Sequence, residues 1–223
     1  MKEYDTYIFD LDGTLLNTLD DLYSSVNHAL SSYHLPVRSK WEVRSFLGNG
    51  VRRLVEHALP EGCDAELTEK VFREFREYYL EHSLDRTEPY DQIIPMLHQC
   101  KQRGLKTAIV SNKLNMAVQD LHQRFFSDCI DVAIGETPDV RRKPAPDMVL
   151  RAIEQLGCQH DDAVYVGDSE VDLATAHNSK LPCIAVSWGF RDKEFLIEQK
   201  AKIIIDSPLD IISTLSSISP ELP

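Results

Sequence analysis

Hydrophobic residues in this chain are spaced in two ways, and the change between them divides the sequence. A short apolar run with β propensity near Tyr4–Phe9 reads as a strand. From about Asn17 to about His82 strand-like runs are absent and the spacing is helical. Leu22, Val26, Ala29, Leu30 and Tyr33 recur on one helical face, with Asp20 and Asp21 near the start, where the helix dipole favours them. His34-Leu35-Pro36 breaks that helix. A second helix is predicted near Lys40–Phe46, Gly48-Asn49-Gly50 reads as a loop, and Val51–Leu59 and Leu67–Leu80 are helical again. In the last of these Leu67, Val71, Phe75 and Tyr78 share a face.

From Leu84 onward the periods alternate. Helical Gln92–Arg103 ends at Gly104, and Leu105–Val110 reads as a buried strand. A helix near Asn115–Arg124 precedes a strand at Ile130–Ile134. Asp147–Leu156 is helical up to Gly157, Ala163–Val166 a strand, Val171–His177 a helix. Cys183–Val186 and Ile203–Ile205 are strands, and Leu209–Leu215 is the last helix. This alternation predicts an α/β fold, a Rossmann-like parallel sheet core with helices on both faces. An all-helical cap domain is inserted after the first strand. The boundaries follow from the change of period: residues 1–16 and 84–223 form the core, residues 17–83 the helical cap, with hinges at Leu15-Leu16-Asn17 and at Pro89. The Ser-rich tail from Ser213 is expected to fray.

Composition narrows the partners. With 43% hydrophobic and 27% charged residues the chain suits a globular protein with a sizeable core. A net charge of −12 argues against nucleic acid and against an anionic membrane surface, both of which reward a basic face. It also means that a site for an anion needs a metal and local cations. Cys63, Cys100, Cys129, Cys158 and Cys183 are scattered, without a Cys-x-x-Cys pair, and read as free thiols of a reducing compartment. With no apolar leader or membrane-length run, the expected location is the cytoplasm, as a monomer or homodimer.

The candidate chemistry stands at the predicted strand ends, where open α/β sheets bind ligands. Tyr7-Ile8-Phe9 runs into Asp10-Leu11-Asp12-Gly13-Thr14. Alternation along a strand lets Asp10 and Asp12 share one side, and two carboxylates there suit metal binding, nucleophilic attack and proton transfer. An acidic turn closing an edge strand has the same composition. Ser111-Asn112-Lys113 follows the next strand, Arg141-Arg142-Lys143-Pro144 precedes a helix, and Gly167-Asp168-Ser169-Glu170-Val171-Asp172 follows the strand at Ala163–Val166. Ser111 by itself also reads as a helix N-cap. Each place carries groups suited to a phosphate or a divalent cation.

Taken together and in order, these segments resemble the four motifs of the haloacid dehalogenase-like superfamily, in its phosphatase branch with a helical cap. Phe9–Leu15 is similar to the first motif, Ser111 to the second, Lys143 in Lys-Pro-Ala-Pro-Asp to the third, and Gly167-Asp168-Ser-x-x-Asp172 to the fourth. The resemblance implies phosphomonoester hydrolysis through an aspartyl-phosphate, with Asp10 as nucleophile and Asp12 as general acid and base. It implies Mg²⁺ held by Asp10, the Asp12 backbone carbonyl and Asp168. Asp172 would order a metal-bound water or pair with Lys143. Ser111, Asn112 and Lys143 would bind the phosphoryl group.

Within that branch, Asp12 sets the chain apart from dehalogenases and phosphonate-cleaving relatives. Asp-Gly-Thr favours hydrolases over phosphosugar mutases. Phe46-Leu47-Gly48-Asn49-Gly50, Ser111-Asn112-Lys113 and Ser187-Trp188-Gly189-Phe190 look like phosphoglycolate phosphatases, so the expected substrate is a small phosphorylated metabolite, 2-phosphoglycolate. Gly48, Asn49 and Gly50 would form a cap loop approaching it, and Arg52 and Arg53 would meet its carboxylate, although both also read as solvated helix residues. Other readings are a pyrophosphatase, a nucleotide or sugar phosphatase, a phosphosugar mutase, and a non-catalytic binding module.

Overall fold

The computed structural model describes residues 4–214. By contacts the chain forms two compact units, Met1–Leu15 with Pro89–Pro223, and Leu16–Glu88. Along the chain the elements are β1 (Thr6–Phe9), β2 (Leu16–Asn17), α1 (Leu19–Ser32), α2 (Lys40–Phe46), α3 (Gly50–Ala58), α4 (Ala65–His82), β3 (Glu88–Pro89), α5 (Ile93–Gln102), β4 (Lys106–Leu114), α6 (Asn115–Phe125), β5 (Val132–Glu136), α7 (Asp147–Leu156), β6 (Ala163–Gly167), α8 (Glu170–Asn178), β7 (Cys183–Val186), α9 (Lys193–Glu198), β8 (Ile203–Ile205) and α10 (Asp210–Thr214). The segment from Leu215, including most of the tail expected to fray, lies outside the described residues. Among the described residues no helix is long and apolar enough to cross a membrane, and all five cysteines are free thiols.

The larger unit is built on a six-stranded sheet in the order β5-β4-β1-β6-β7-β8, with every pairing parallel. β1 is buried throughout and pairs in register with β4 (Thr6 to Lys106) and β6 (Thr6 to Ala163). One face of the sheet presents Ile8, Ala108, Val110 and Tyr165, which pack on Met148, Val149, Ala152 and Ile153 of α7 and on Ala176 of α8. Apolar side chains on central strands bury completely here, which is why these strands read as continuous hydrophobic runs. The strand order reverses at β1: the chain moves outward through β4 and β5, then returns to the other side of β1 for β6. A crevice opens at such a reversal, beyond the carboxyl ends of the strands.

Three local features differ from the periodicity. β4 continues past Val110 to Leu114, with a shift of register between those residues, so Ser111-Asn112-Lys113 lies on an irregular strand extension. β5 begins at Val132, two residues later than expected, because the Asp131 carboxylate accepts the Thr107 N–H (2.9 Å) while the Asp131 N–H donates to the Thr107 carbonyl (3.1 Å). That side chain closes the ladder before the strand starts. The helix α9 was not expected, and its six residues are too few for a helical period to register.

The smaller unit contains α1 to α4, with α1 packed on α2 and α4. Leu22, Val26, Ala29 and Leu30 of α1 are buried, as are Val71, Phe75 and Tyr79 of α4. Tyr78, placed by its spacing on the buried face, instead stacks between His28 (centroids 3.9 Å apart) and His82 (4.1 Å). Asp21 stands in the first turn of α1, as expected, and has a second role. It is a buried clamp that accepts the N–H groups of Arg86 (3.0 Å) and Thr87 (2.9 Å) and the Thr87 hydroxyl (2.8 Å), fixing the segment that leaves α4.

Candidate active site

The carboxyl ends of β1 and β6 set two acids side by side. The Asp10 N–H donates to the Val166 carbonyl (2.9 Å), extending the β1–β6 pairing one residue and holding Asp10 next to Asp168. Lys143, from the loop before α7, enters from the other side of the crevice. Its ammonium lies 2.7 Å from Asp10 Oδ1 and 2.9 Å from Asp172 Oδ1, and it donates to the Tyr165 hydroxyl oxygen (3.1 Å). All four residues are buried. Burial works against the charge of Lys143, but Asp10 and Asp172 outweigh it and hold the ammonium well above the usual lysine range. Asp10 is pushed the opposite way from an exposed carboxylate: burial first and then the Asp172 charge raise its pKa, with Lys143 opposing them.

Asp172 is saturated with donors. Oδ2 accepts from the Asp168 N–H (3.2 Å), the Ser169 N–H (3.1 Å) and the Ser169 hydroxyl (2.7 Å), and Oδ1 accepts from Lys143 and the Tyr165 hydroxyl (3.1 Å). It thereby caps α8 and orients Lys143. Asp168 is held by the Thr14 hydroxyl on Oδ1 (3.1 Å) and the Phe190 N–H on Oδ2 (2.7 Å), and burial, followed by the Asp172 charge, pushes it up to about 7. Gly13 makes this arrangement possible. Its φ is +91°, and a Cβ there would stand 2.5 Å from Asp168 Oδ2.

The β4 extension supplies the remaining groups. Ser111 is buried, and its Oγ accepts the Lys113 N–H (3.2 Å), leaving the hydroxyl proton to donate elsewhere. It is not a helix cap, because α6 begins after Leu114. Asn112 is committed to the backbone of Lys143: Oδ1 accepts its N–H (2.8 Å) and Nδ2 donates to its carbonyl (3.1 Å). Lys113 is buried and its ammonium bridges both oxygens of Asp12, at 3.0 and 3.3 Å. The expected consequence for Asn112→Ala is a fall in turnover of about 10- to 100-fold, since a small displacement of a charged group is that costly. Two buried backbone groups of Lys143 also lose their partner, at about 1–3 kcal/mol each. Steady-state kinetics and denaturant unfolding read the two effects separately.

Asp10, Asp12, Ser111, Asn112, Lys143, Asp168 and Asp172 are therefore gathered at one end of the sheet. Tyr165, Thr14 and Lys113 join them without having been singled out as site residues; each acts through a partner distant in sequence. The remaining candidates lie in the helical unit. Gly48 and Gly50 have positive φ, and Asn49 precedes α3. Within that unit Arg52 makes a two-point pair with Glu69 (2.7 and 3.2 Å) and lies 4.4 Å from the Phe72 ring centroid, and Arg53 pairs with Glu56 (3.1 Å). These exposed pairs are weak and give each arginine an anionic neighbour of its own.

The donor set fits a hard divalent cation. Oxygens of Asp10, Asp168 and Asp172 come within 4.8 Å of one another, while Lys143 brings one positive charge to three buried carboxylates. Burial first, and then the Asp172 charge, raise the pKa values of Asp10 and Asp168, and the positive charge of a bound cation would oppose that rise. Because Asp172 is already saturated, Asp10 and Asp168 are the side chains suited to direct ligation.

A family model described as haloacid dehalogenase-like hydrolase matches residues 7–186. Among curated proteins, phosphoglycolate phosphatase 1 of Pseudomonas aeruginosa is 32% identical over 216 residues, covering 92% of this chain and 77% of that one. Pyrophosphatase PpaX of Bacillus cereus is 27% identical over 215 residues, covering 96% and 97%. A crystal structure from Lactobacillus delbrueckii subsp. bulgaricus, titled as a candidate phosphoglycolate phosphatase, superposes with a TM-score of 0.92 at 35% identity, over 96% of this chain and 98% of that one.

Proposed function

The chain belongs to the haloacid dehalogenase-like hydrolase family, and from that premise we propose that it is a Mg²⁺-dependent phosphatase of small phosphorylated metabolites, with 2-phosphoglycolate as substrate. The observation that carries the phosphatase reading is the convergence of Asp10, Asp12, Ser111, Lys143 and Asp168 at the reversal of strand order. In this reading Asp10 is the nucleophile. Its Oδ1 accepts the Leu11 N–H (2.7 Å) and faces Lys143, so Oδ2 attacks phosphorus. The bond from phosphorus to the leaving oxygen breaks, and Asp12 delivers a proton to that oxygen. Water then attacks the phosphorus of the aspartyl-phosphate, Asp12 takes its proton, and the Asp10 carboxylate is restored as phosphate departs.

Lys143 balances the charge that develops on the phosphoryl oxygens, and the Ser111 hydroxyl donates to one of them. Asn112 fixes the Lys143 backbone, and Asp172 fixes its ammonium. Asp10, the Asp12 carbonyl and Asp168 would hold Mg²⁺, which when bound supplies positive charge that neutralises the phosphoryl group. With these groups in place the chain's net charge of −12 is no obstacle to an anionic substrate.

The relative from P. aeruginosa supports phosphoglycolate, and the relative from B. cereus keeps pyrophosphate as a second reading. The deciding experiment compares kcat/KM for phosphate release, with Mg²⁺, from 2-phosphoglycolate, pyrophosphate, nucleoside monophosphates and hexose phosphates. A preference of about 10-fold or more for phosphoglycolate is expected, corresponding to about 1.4 kcal/mol of differential transition-state binding. A profile led by pyrophosphate, or a flat one, removes the phosphoglycolate assignment.

A further inference from the structure

The bend after β7 reaches into the candidate site without supplying any of the residues assigned to it. Trp188 donates its indole N–H to the Thr14 carbonyl (3.0 Å), Phe190 donates its backbone N–H to Asp168 Oδ2 (2.7 Å), and Arg191 grips Glu170 at two points, Nε to Oε2 (2.8 Å) and Nη2 to Oε1 (2.9 Å). Glu170 opens α8, two residues beyond Asp168. Gly189 passes so close that a Cβ on it would lie 2.4 Å from the Gly13 carbonyl oxygen and 2.4 Å from Asp168 Cβ. The bend is thus fastened to the turn that carries Asp12 and Gly13 and to the start of the helix that follows Asp168. Arg191 is 9% exposed and its guanidinium lies 5.5 Å from the Phe195 ring centroid, while Glu170 is half-buried; the contact is bidentate, the geometry in which an arginine–carboxylate pair specifies position.

We infer that the Arg191–Glu170 pair is a positioning device for the cation site: it holds the Ser187–Arg191 bend so that the Phe190 N–H fixes the Asp168 carboxylate, and thereby sets the affinity for a divalent cation. This inference rests on the metal-dependent phosphatase reading above. The Phe190 N–H is a backbone donor, present with any side chain except proline, so its placement depends on what anchors the bend. On one side the anchor is the Trp188 indole, on the other the two-point grip of Arg191. Groups that orient a metal ligand without touching the metal commonly change affinity by about 10- to 100-fold when removed.

The test measures Mn²⁺ binding directly, from loss of the free-ion electron paramagnetic resonance signal, with Mg²⁺ as competitor, in the wild-type protein and in Arg191→Met, Arg191→Lys and Glu170→Gln. The expected result is a dissociation constant about 10-fold or more higher for Arg191→Met and Glu170→Gln. Arg191→Lys, which keeps the charge and loses the fork, falls between. Because both partners act through one contact, the Arg191→Met/Glu170→Gln double variant binds no more weakly than the weaker single. Thermal unfolding of the metal-free proteins shows whether the affinity change is local. Wild-type affinity in folded Arg191→Met, or fully additive losses in the double variant, overturns the positioning role. If Arg191→Met does not fold, unchanged affinity in the near-isosteric Glu170→Gln overturns it instead. A wild-type protein that binds no Mn²⁺ or Mg²⁺ overturns the metal reading itself, and the positioning role with it.

Discussion

Asp10→Asn is expected to lower kcat for phosphate release by about 10⁴-fold or more, because it removes the carboxylate that forms the covalent intermediate in the proposed mechanism. The variant is close to isosteric, and its side-chain oxygen can still accept the Leu11 N–H that Asp10 Oδ1 accepts at 2.7 Å. Its effect on folding is expected to be small for a reason visible in the electrostatics. Burial and the neighbouring Asp172 charge oppose ionisation of Asp10, and the contact with Lys143 favours it. Neutralising the side chain relieves the first two and forfeits the third, while Lys143 keeps its contact with Asp172 at 2.9 Å. The unfolding midpoint should therefore move by a few degrees at most. Asp10→Glu serves as the companion, since one extra methylene misplaces a carboxylate that retains its charge, and displacement of about 1 Å costs about 100-fold. Residual activity above about 1% in Asp10→Asn would rule out the aspartyl-phosphate mechanism.

Lys143→Met should do what Asp10→Asn does not, and damage the fold as well as the chemistry. The ammonium lies within ion-pair distance of both Asp10 and Asp172, and both carboxylates are buried. Removing one member of a buried charge cluster leaves the others uncompensated, at about 3–5 kcal/mol. For a chain of this size that is a fall of roughly 6–20 °C in the unfolding midpoint. Turnover should drop by about 100- to 1000-fold in what remains folded, the loss typical of one electrostatic stabiliser of the transition state. Pairing the change with Asp172→Asn separates the two effects: the double variant should recover part of the stability and none of the activity. Differential scanning fluorimetry together with active-site-normalised kcat checks both. A single variant with wild-type stability would mean that the Lys143–Asp10–Asp172 cluster is not what holds this end of the sheet.

The parts of the site that could be read from the sequence share one property: each is a short segment whose residue types are unusual for its place at a strand end. Asp10 and Asp12 stand after β1, Asp168 and Asp172 after β6, and the buried runs Tyr7–Phe9 and Ala163–Val166 announce the strands that carry them. What could not be read depends on contacts between distant segments. Lys113 stands in a segment read as suited to a phosphate or a cation, yet its ammonium goes to Asp12, because β4 continues past Val110. Tyr165 belongs to a run that reads only as a buried strand, yet its hydroxyl lies between Lys143 and Asp172. Asp21 fitted a helix-dipole role so well that nothing local hinted at its clamp on Arg86 and Thr87. Asn112, expected to touch phosphate, faces the backbone of Lys143.

The position of β1 at the middle of its sheet also governs the order in which the molecule is assembled. Both of its neighbours are remote in sequence: Thr6 pairs with Lys106 on one side and with Ala163 on the other. A chain emerging from the ribosome therefore presents Tyr7, Ile8 and Phe9, all fully buried at the end, long before either partner strand has been made. The contacts of α1 to α4 close over far shorter loops, so the helical unit can fold while β1 waits. The strand that carries Asp10 is synthesised before the rest of its sheet and has to wait for its neighbours. Until then its three large apolar side chains stay without the neighbours that bury them in the finished sheet.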